Sequence, residues 1–229
     1  MIYDREKYDR GKMKLVTQPI IYVEGLSNKV FYQQLKELKN YLIDNGGNCT
    51  QIKKKIESQS NCYGIVDHDY LAHNHKNLFP INFYSVENIS LIYMKELEDL
   101  RASIHNYVKT NRLEDLRFHK LHLEMYSDEK SNRVIDFNII LTNEKNHEQF
   151  NEYITNNIVC GMTFMKYKDL KKIVERYVKF HKRKYGGDKI NHIIDLAEHL
   201  PSKSIEEIFD ETTLGKFTEL LNRERFTLA

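Results

Sequence analysis

Two short apolar stretches that each end in acidic residues most constrain how this chain can fold. Ile20 to Glu24 is a β-branched and aromatic run, too short for an independent helix, and Gly25 interrupts it directly after the glutamate. Cys62 to Val66 is a second such run, and it leads into Asp67 and Asp69. Because side chains alternate along an extended chain, the two aspartates should point to the same side. The sequence therefore predicts two buried strands with carboxylates at their carboxyl ends.

These carboxylates should meet at one place. In an open α/β sheet the carboxyl ends of the strands form the crevice where ligands bind, so Glu24, Asp67 and Asp69 would make a negative, oxygen-rich pocket there. Mg²⁺ takes oxygen ligands and is typically held by one or two carboxylates together with substrate phosphates. We therefore expect these three residues to hold Mg²⁺ or Mn²⁺. Three nearby histidines (His68, His73 and His75) offer a transition-metal alternative, although zinc sites usually use cysteine or a fixed histidine spacing.

The order of the motifs resembles a known domain. Val23 to Tyr32 resembles the glutamate motif and following helix of the Toprim domain, which occurs in topoisomerases, bacterial primases and the overcoming-lysogenization-defect nucleases. Gly64 to Asp69 resembles its aspartate motif, whereas Asn28 stands where many relatives carry aspartate. Phe83 to Leu91, with its Glu-Asn pair, is similar to a small Toprim family of bacterial defence loci that includes the Toprim effector subunit of the PARIS anti-phage system. A glycine-containing segment at Tyr185 to Lys189 adds a weaker likeness.

The resemblance implies an α/β fold with a Toprim-like, mostly parallel sheet flanked by helices and a C-terminal helical subdomain. We expect residues 1–140 to form the α/β part with a helical insertion, and residues 141–229 the helical part. Glu24, Asp67, Asp69 and Glu87 would be catalytic, although the helix dipole would equally favour a carboxylate such as Glu87 at a helix start. A lysine completes related nuclease sites, and the candidates for it are Lys184 and Lys189, which flank the Gly-Gly pair.

The implied function is that of a Mg²⁺-dependent nuclease, a toxic effector in anti-phage defence. Its substrate would be RNA, in particular tRNA, and a partner ABC-type ATPase would sequester it until infection; the active form would be a homodimer. One alternative is a DNA nickase of the overcoming-lysogenization-defect type. Another is a non-catalytic regulator that binds nucleic acid or a partner, which the presence of all three mutually repelling acids disfavours.

Charge along the chain is uneven although the net charge is only +2. Lys166 to Tyr185 contains nine Lys or Arg residues against Asp169 and Glu175, which suits a protein that holds metal at one place and a polyanion at another. An amphipathic stripe from Leu170 to Val178 predicts a helix here. We expect its basic face either to contact nucleic-acid phosphates or to dock an acidic partner surface, using Lys168, Lys171, Lys172, Lys179, Lys182, Arg183 and Lys184.

Several other features limit the function. The chain lacks a P-loop, a glycine-rich dinucleotide motif and a GxSxG motif, and no stretch approaches a membrane span. The amino terminus mixes acids and bases without an apolar segment, so we expect a cytoplasmic protein without membrane contact. Three cysteines without a CxxC pair argue against a disulfide framework or zinc ribbon.

Local patterns predict further elements. A helix capped by Ser27 or Asn28 should run to about Leu42, a strand should cover Ile81 to Tyr84, and one long helix should follow from Val86 to Lys109. Thr142 to Glu144 marks another helix start. Ser204 to Glu207 is a candidate capping box.

Overall fold

A computed structural model describes residues 19–68, 75–110, 120–127, 134–142, 163–185 and 193–227. These ranges form an α/β fold: a four-stranded parallel sheet flanked by helices, an antiparallel hairpin, and helices at the carboxyl-terminal end. The predicted fold class is confirmed. Asp69, His73, Lys189 and the predicted helix start at 143–144 lie outside the described residues. In chain order the elements are β1 (Ile20–Glu24), α1 (Gly25–Gln33), β2 (Leu42–Gly47), α2 (Cys49–Ser58), β3 (Cys62–Val66), β4 (Leu78–Pro80), α3 (Val86–Tyr93), a 3₁₀ turn (Lys95–Leu97), α4 (Glu98–Thr110), β5 (Lys120–Ser127), β6 (Val134–Thr142), α5 (Thr163–Tyr167), α6 (Lys171–Tyr185), α7 (Leu196–His199), a second 3₁₀ turn (Ile205–Glu207) and α8 (Glu211–Thr227).

The two strands predicted from the acid-ended runs lie side by side. The sheet order is β2-β1-β3-β4, and all neighbouring strands run parallel. Val23 of β1 lies opposite Ile65 of β3, so the two strands end at nearly the same level. Because the strands are parallel, their carboxyl ends face one edge of the sheet, and Glu24 and Asp67 are delivered to it together.

The strand β2 was not expected, because its residues were predicted to end a helix. The helix α1 instead starts at Gly25, where φ is +77°, and ends at Gln33, so the predicted cap at Ser27 or Asn28 and the extension to Leu42 are wrong. The β2 sequence, with Asp, Asn and two Gly, has low strand propensity. The packing of α2 explains one of these glycines, because a Cβ on Gly46 would lie 2.3 Å from Cγ1 of Ile52.

The predicted long helix from Val86 to Lys109 is interrupted at Met94. Buried Arg101 of α4 reaches back and donates hydrogen bonds to the carbonyl oxygens of Leu91 (2.8 Å) and Met94 (2.6 Å). It thereby satisfies carbonyls that the end of α3 leaves without helical partners. The strand predicted at Ile81 to Tyr84 is also misplaced, because β4 covers Leu78–Pro80.

One hydrophobic cluster joins the sheet, the hairpin and the carboxyl-terminal helices. It contains Ile21 of β1, Phe137 of β6, Tyr177 of α6 and Phe217 of α8. The aromatic rings of Phe137 and Tyr177 meet edge to face with centroids 5.0 Å apart, which fixes α6 on the hairpin. The boundary at residue 140 stays a prediction, but side chains on both sides of it share this core.

One local expectation, the capping box at Ser204 to Glu207, agrees with the structure. The predicted capping box is confirmed: Ser204 accepts from the Glu206 amide and Glu207 accepts from the Ser204 amide. Within the described ranges, none of the helices has the length and apolar character needed to cross a membrane.

Candidate active site

The turn from β1 into α1 places the first carboxylate. Glu24 is the last residue of β1, and Gly25 adopts a positive φ of +77° that glycine accommodates without strain. The side chain of Asn45 fixes this turn, since its Oδ1 accepts from the amides of Gly25 (3.1 Å) and Gly47 (2.9 Å). Glu24 is thus held at the carboxyl edge of the sheet by the neighbouring strand.

Asp67 follows β3 directly and is almost fully buried, with 3% of its surface exposed. Its neighbour His68 keeps the chain extended beyond the strand, because its amide donates to the Phe83 carbonyl (3.3 Å). The segment after β4 thereby lines the same edge. Asp67 is consequently presented at the position that the sequence predicted.

A buried tyrosine on α1 has a pKa that the charges of three carboxylates affect. Tyr32 lies on α1 and is 1% exposed. Burial raises its pKa well above the usual value, and the negative charges of Asp67, Glu24 and Glu87 raise it further, in that order. The charges of all three acids thus act on the Tyr32 hydroxyl, and its raised pKa keeps it protonated.

Glu87 fits both interpretations of its motif, as a site residue and as a carboxylate at a helix start. It lies in the first turn of α3, where the helix dipole favours a carboxylate, and not at the end of a strand. It is also buried and belongs to the acidic cluster around Tyr32. The predicted site position and the predicted helix-start position are therefore the same place.

A lysine that was predicted to face solvent enters this cluster. Lys171, the first residue of α6, donates from Nζ to Oδ2 of Asp67 (3.3 Å), and the same nitrogen lies 3.8 Å from Oε2 of Glu87. Lys171 thus lies against two of the acids although its side chain is 43% exposed, and its contact with phosphate stays a prediction. Its position three and seven residues before Val174 and Val178, which are buried, was the available signal, since such spacing places it on the inner face of the helix.

The other lysine candidates lie elsewhere. Lys184 packs over the rings of Phe180 and Tyr185, at 5.4 and 5.3 Å from their centroids, on the exposed end of α6. Lys189 is outside the described residues. The ammonium group of Lys171, in contrast, lies against two of the carboxylates.

Asn88 ties the segment before α6 to α3. Its buried side-chain amide donates to the carbonyls of Met165 (2.7 Å) and Lys168 (2.8 Å), and its Oδ1 accepts from the hydroxyl of Ser85 (2.9 Å). All these partners are fixed within the core, so the amide is fully satisfied in one geometry. Sequence reasoning identified Asn88 only as part of a motif, and the structure shows that it positions the chain three residues before Lys171.

The predicted nucleic-acid-binding set divides into different environments. Lys168 is completely buried, so the expectation that it faces outward is wrong: it lies in the turn between α5 and α6, beneath the surface. The remaining members are exposed along α6: Lys172, Lys179, Lys182, Arg183 and Lys184.

The donor chemistry of the cluster fits a hard divalent cation. Glu24, Asp67 and Glu87 offer only oxygen ligands, which are the ligands that Mg²⁺ and Mn²⁺ prefer. No three His, Cys, Asp or Glu side chains of the described residues are close enough to form a ready-made metal site, and Asp69, the remaining predicted ligand, is not among those residues. For the histidine alternative, His75 accepts through Nδ1 from the Asn77 amide (3.2 Å).

We compared the chain with models of protein families, with curated proteins and with solved structures, and none of them matches it.

Proposed function

We propose that this protein is a metal-dependent nuclease that hydrolyses phosphodiester bonds. The observation that carries the proposal is the Lys171 ammonium against Asp67 (3.3 Å) and Glu87 (3.8 Å), at the carboxyl edge of the sheet where Glu24 also ends its strand. Like charges at the ligand-binding edge of a parallel sheet repel one another, and a bound divalent cation would offset more of this repulsion than Lys171 does alone.

The residues that would hold Mg²⁺ or Mn²⁺ are Glu24 and Asp67, together with Asp69 by its place in the motif. When bound, the ion supplies positive charge that offsets the charge of a phosphodiester. Lys171 supplies a fixed positive charge where negative charge develops on the phosphate oxygens. Tyr32 would stay neutral because its pKa is raised, and Glu87 would accept a proton from the attacking group.

The biological setting that we propose follows from the resemblance to Toprim effectors of defence loci. The protein would act in the cytoplasm as a toxic effector, cleaving RNA, in particular tRNA, once a partner ABC-type ATPase releases it. Its active form would be a homodimer. The exposed cations of α6 support a polyanionic substrate, because they lie on the helix that delivers Lys171 to the acids.

The test compares charge-removing variants of the site with a matched variant outside it. Asp67→Asn and Glu24→Gln should abolish cleavage of tRNA or DNA, whereas Asp44→Asn should not, since Asp44 lies on the neighbouring strand β2 and pairs with Lys29 (3.0 Å). Cleavage by the wild type should require Mg²⁺ or Mn²⁺ and stop with a chelator. Full activity in excess EDTA, or in purified, folded Asp67→Asn, would refute the proposal.

The same assay separates the remaining alternatives. Nicking of supercoiled DNA without cleavage of tRNA would favour the DNA nickase. Binding of nucleic acid without cleavage under any metal condition would favour the non-catalytic regulator.

A further inference from the structure

A cleft of about 410 Å³ opens between strand β5 and helix α6, beside the acidic cluster. Its walls come from one edge of the hairpin and from successive turns of the helix. Its polar and charged lining includes His122, Asp169, Lys172, Glu175, Arg176 and Lys179.

Its charged side chains form an ordered row. Lys172, Arg176 and Lys179 follow at intervals of four and three residues, so they lie along one face of α6. Arg176 is fixed across the cleft, where Nη1 donates to the carbonyl of Leu123 (3.2 Å) and lies against the ring of His122. A guanidinium group held in this way loses less freedom when it binds an anion.

Two carboxylates, Asp169 and Glu175, also line the cleft, and Asp169 already accepts a hydrogen bond. Asp169 accepts the amide of Lys171 through Oδ1 (3.3 Å), at the start of α6. The other carboxylate groups in the lining are Glu175 and the second oxygen of Asp169. Such mixed walls suit a ligand that carries both an anionic phosphate and neutral groups that donate hydrogen bonds, as a nucleotide does.

The cleft and the acidic cluster meet at two consecutive residues. Lys171 contacts Asp67, and the next residue, Lys172, lines the cleft. Consecutive Cα atoms are only about 3.8 Å apart. The lining of the cleft therefore includes the residue that directly follows the one contacting Asp67.

Size decides which form of nucleic acid fits. A volume of about 410 Å³ lies near the lower end of small-ligand pockets, which span roughly 300 to 1,000 Å³. It suits one nucleotide, whereas a double helix, whose major groove alone is about 12 Å wide, does not enter such a space.

We infer that this cleft binds one unpaired nucleotide of a nucleic-acid strand, next to the phosphate that the acidic cluster attacks. The inference rests on the proposed nuclease function for its substrate class. Lys172, Arg176 and Lys179 contact the phosphate of this nucleotide. Glu175 and His122 are available to its sugar and base.

The experiment uses two matched pairs of lysines on the same helix. Lys172→Ala/Lys179→Ala removes two cations of the cleft, and Lys182→Ala/Lys184→Ala removes two exposed cations beyond it. Binding of the full chain to a short fluorescein-labelled single-stranded RNA is measured by anisotropy in EDTA, at several salt concentrations. The blunt duplex of the same sequence is measured in parallel.

We expect the cleft pair to weaken single-strand binding by about thirtyfold and to flatten the salt dependence by about two units of slope. The distal pair should weaken it by only about threefold, through general attraction. Arg176→Ala, tested separately, should lower affinity by about tenfold, as expected for one charge-assisted phosphate contact. The wild type should bind the single strand more tightly than the duplex.

Equal losses for the two lysine pairs, or tighter binding of the duplex, would overturn the cleft assignment, as would absence of any binding by the wild type. Metal-dependent cleavage is measured separately with the same RNA. If the cleft pair weakens binding as expected but the wild type cleaves nothing with Mg²⁺ or Mn²⁺, the nucleotide site stands and the nuclease proposal fails.

Discussion

Replacing Lys171 by methionine tests whether its ammonium holds the acidic cluster together. The change keeps much of the side-chain length while removing the charge that lies 3.3 Å from Asp67 and 3.8 Å from Glu87. The matched control is Lys172→Met. It removes the same charge from the next residue, which faces the cleft instead of the acids.

The expected loss follows from distance and exposure. At an effective dielectric constant of about 20, two unit charges 3.3 Å apart attract by roughly 5 kcal/mol before any screening. Solvent screens this pair, because the Lys171 side chain is 43% exposed although that of Asp67 is only 3% exposed. Fully exposed pairs contribute less than about 1 kcal/mol, and breaking a fully buried pair costs about 3–5 kcal/mol. We therefore expect Lys171→Met to lower the free energy of unfolding by about 1–2 kcal/mol, between these limits.

Urea unfolding in EDTA, followed by circular dichroism, measures this difference. With a slope of about 2 kcal/mol per molar urea, the midpoint of Lys171→Met should fall by about 0.5–1 M relative to the control. Added Mg²⁺ should then raise the midpoint of Lys171→Met more than that of the wild type, because no ammonium competes for the carboxylates. Equal midpoints for Lys171→Met and Lys172→Met in EDTA would refute the reasoning.

Three further predictions concern the support of the site. Asn88→Ala should lower the free energy of unfolding by about 2–3 kcal/mol, since two buried carbonyls lose their donor; a loss below about 0.5 kcal/mol in urea unfolding would contradict this. Gly25→Ala should cost about 1–2 kcal/mol through its positive φ alone, because its Cβ would meet no atom within 4 Å, whereas Gly46→Ala should cost more because its Cβ would collide with Ile52. Equal urea midpoints for the two glycine variants would show that the collision is relieved without cost. The pKa of Tyr32 is raised on folding, so the folded chain keeps a proton that the unfolded chain releases near the ordinary value of 10.0, and stability should fall as the pH rises above it. Tyr32→Phe cannot titrate and should show a smaller fall in urea midpoint between about pH 9 and 11; an unchanged fall would assign the pH dependence to other groups.

The central strands were predictable because their local sequence agrees with their final environment. Ile20 to Glu24 and Cys62 to Val66 are apolar enough to be buried on both faces, and Gly25 supplies the turn that releases the chain from the sheet. The places of Glu24 and Asp67 followed directly, since they depend only on where a strand ends.

The edge strand β2 was not predictable in the same way. Its Asp, Asn and Gly residues carry a turn signature, and only the packing of α2 against Gly46 explains their use in a strand. The break at Met94 is similar, because no proline or glycine marks it and the stabilising group, Arg101, comes from seven residues further along. In both cases tertiary contacts outweigh local propensity.

Lys171 and Tyr32 were missed for a different reason. A lysine in a basic run is usually solvated, and a tyrosine on the apolar face of a helix is usually part of the core. Both expectations hold for most lysines in basic runs and for most tyrosines on apolar helix faces. Lys171 and Tyr32 differ because their helices pack against the carboxyl edge of the sheet. The charge on Lys171 acquires its role from Asp67, which lies 104 positions earlier in the chain.

Helix α3 contacts both parts of the site. Consecutive residues of a helix point about 100° apart around its axis, so two neighbours can face different partners. Glu87 therefore projects into the acidic cluster while Asn88, the next residue, holds the carbonyls of Met165 and Lys168. The same turn of helix thus supplies one acid and fixes the segment that leads to Lys171. The Lys171 ammonium at the start of α6 lies 3.8 Å from Oε2 of Glu87 on α3. A site assembled in this way requires residues from both sides of position 140, whether or not the two parts can fold separately.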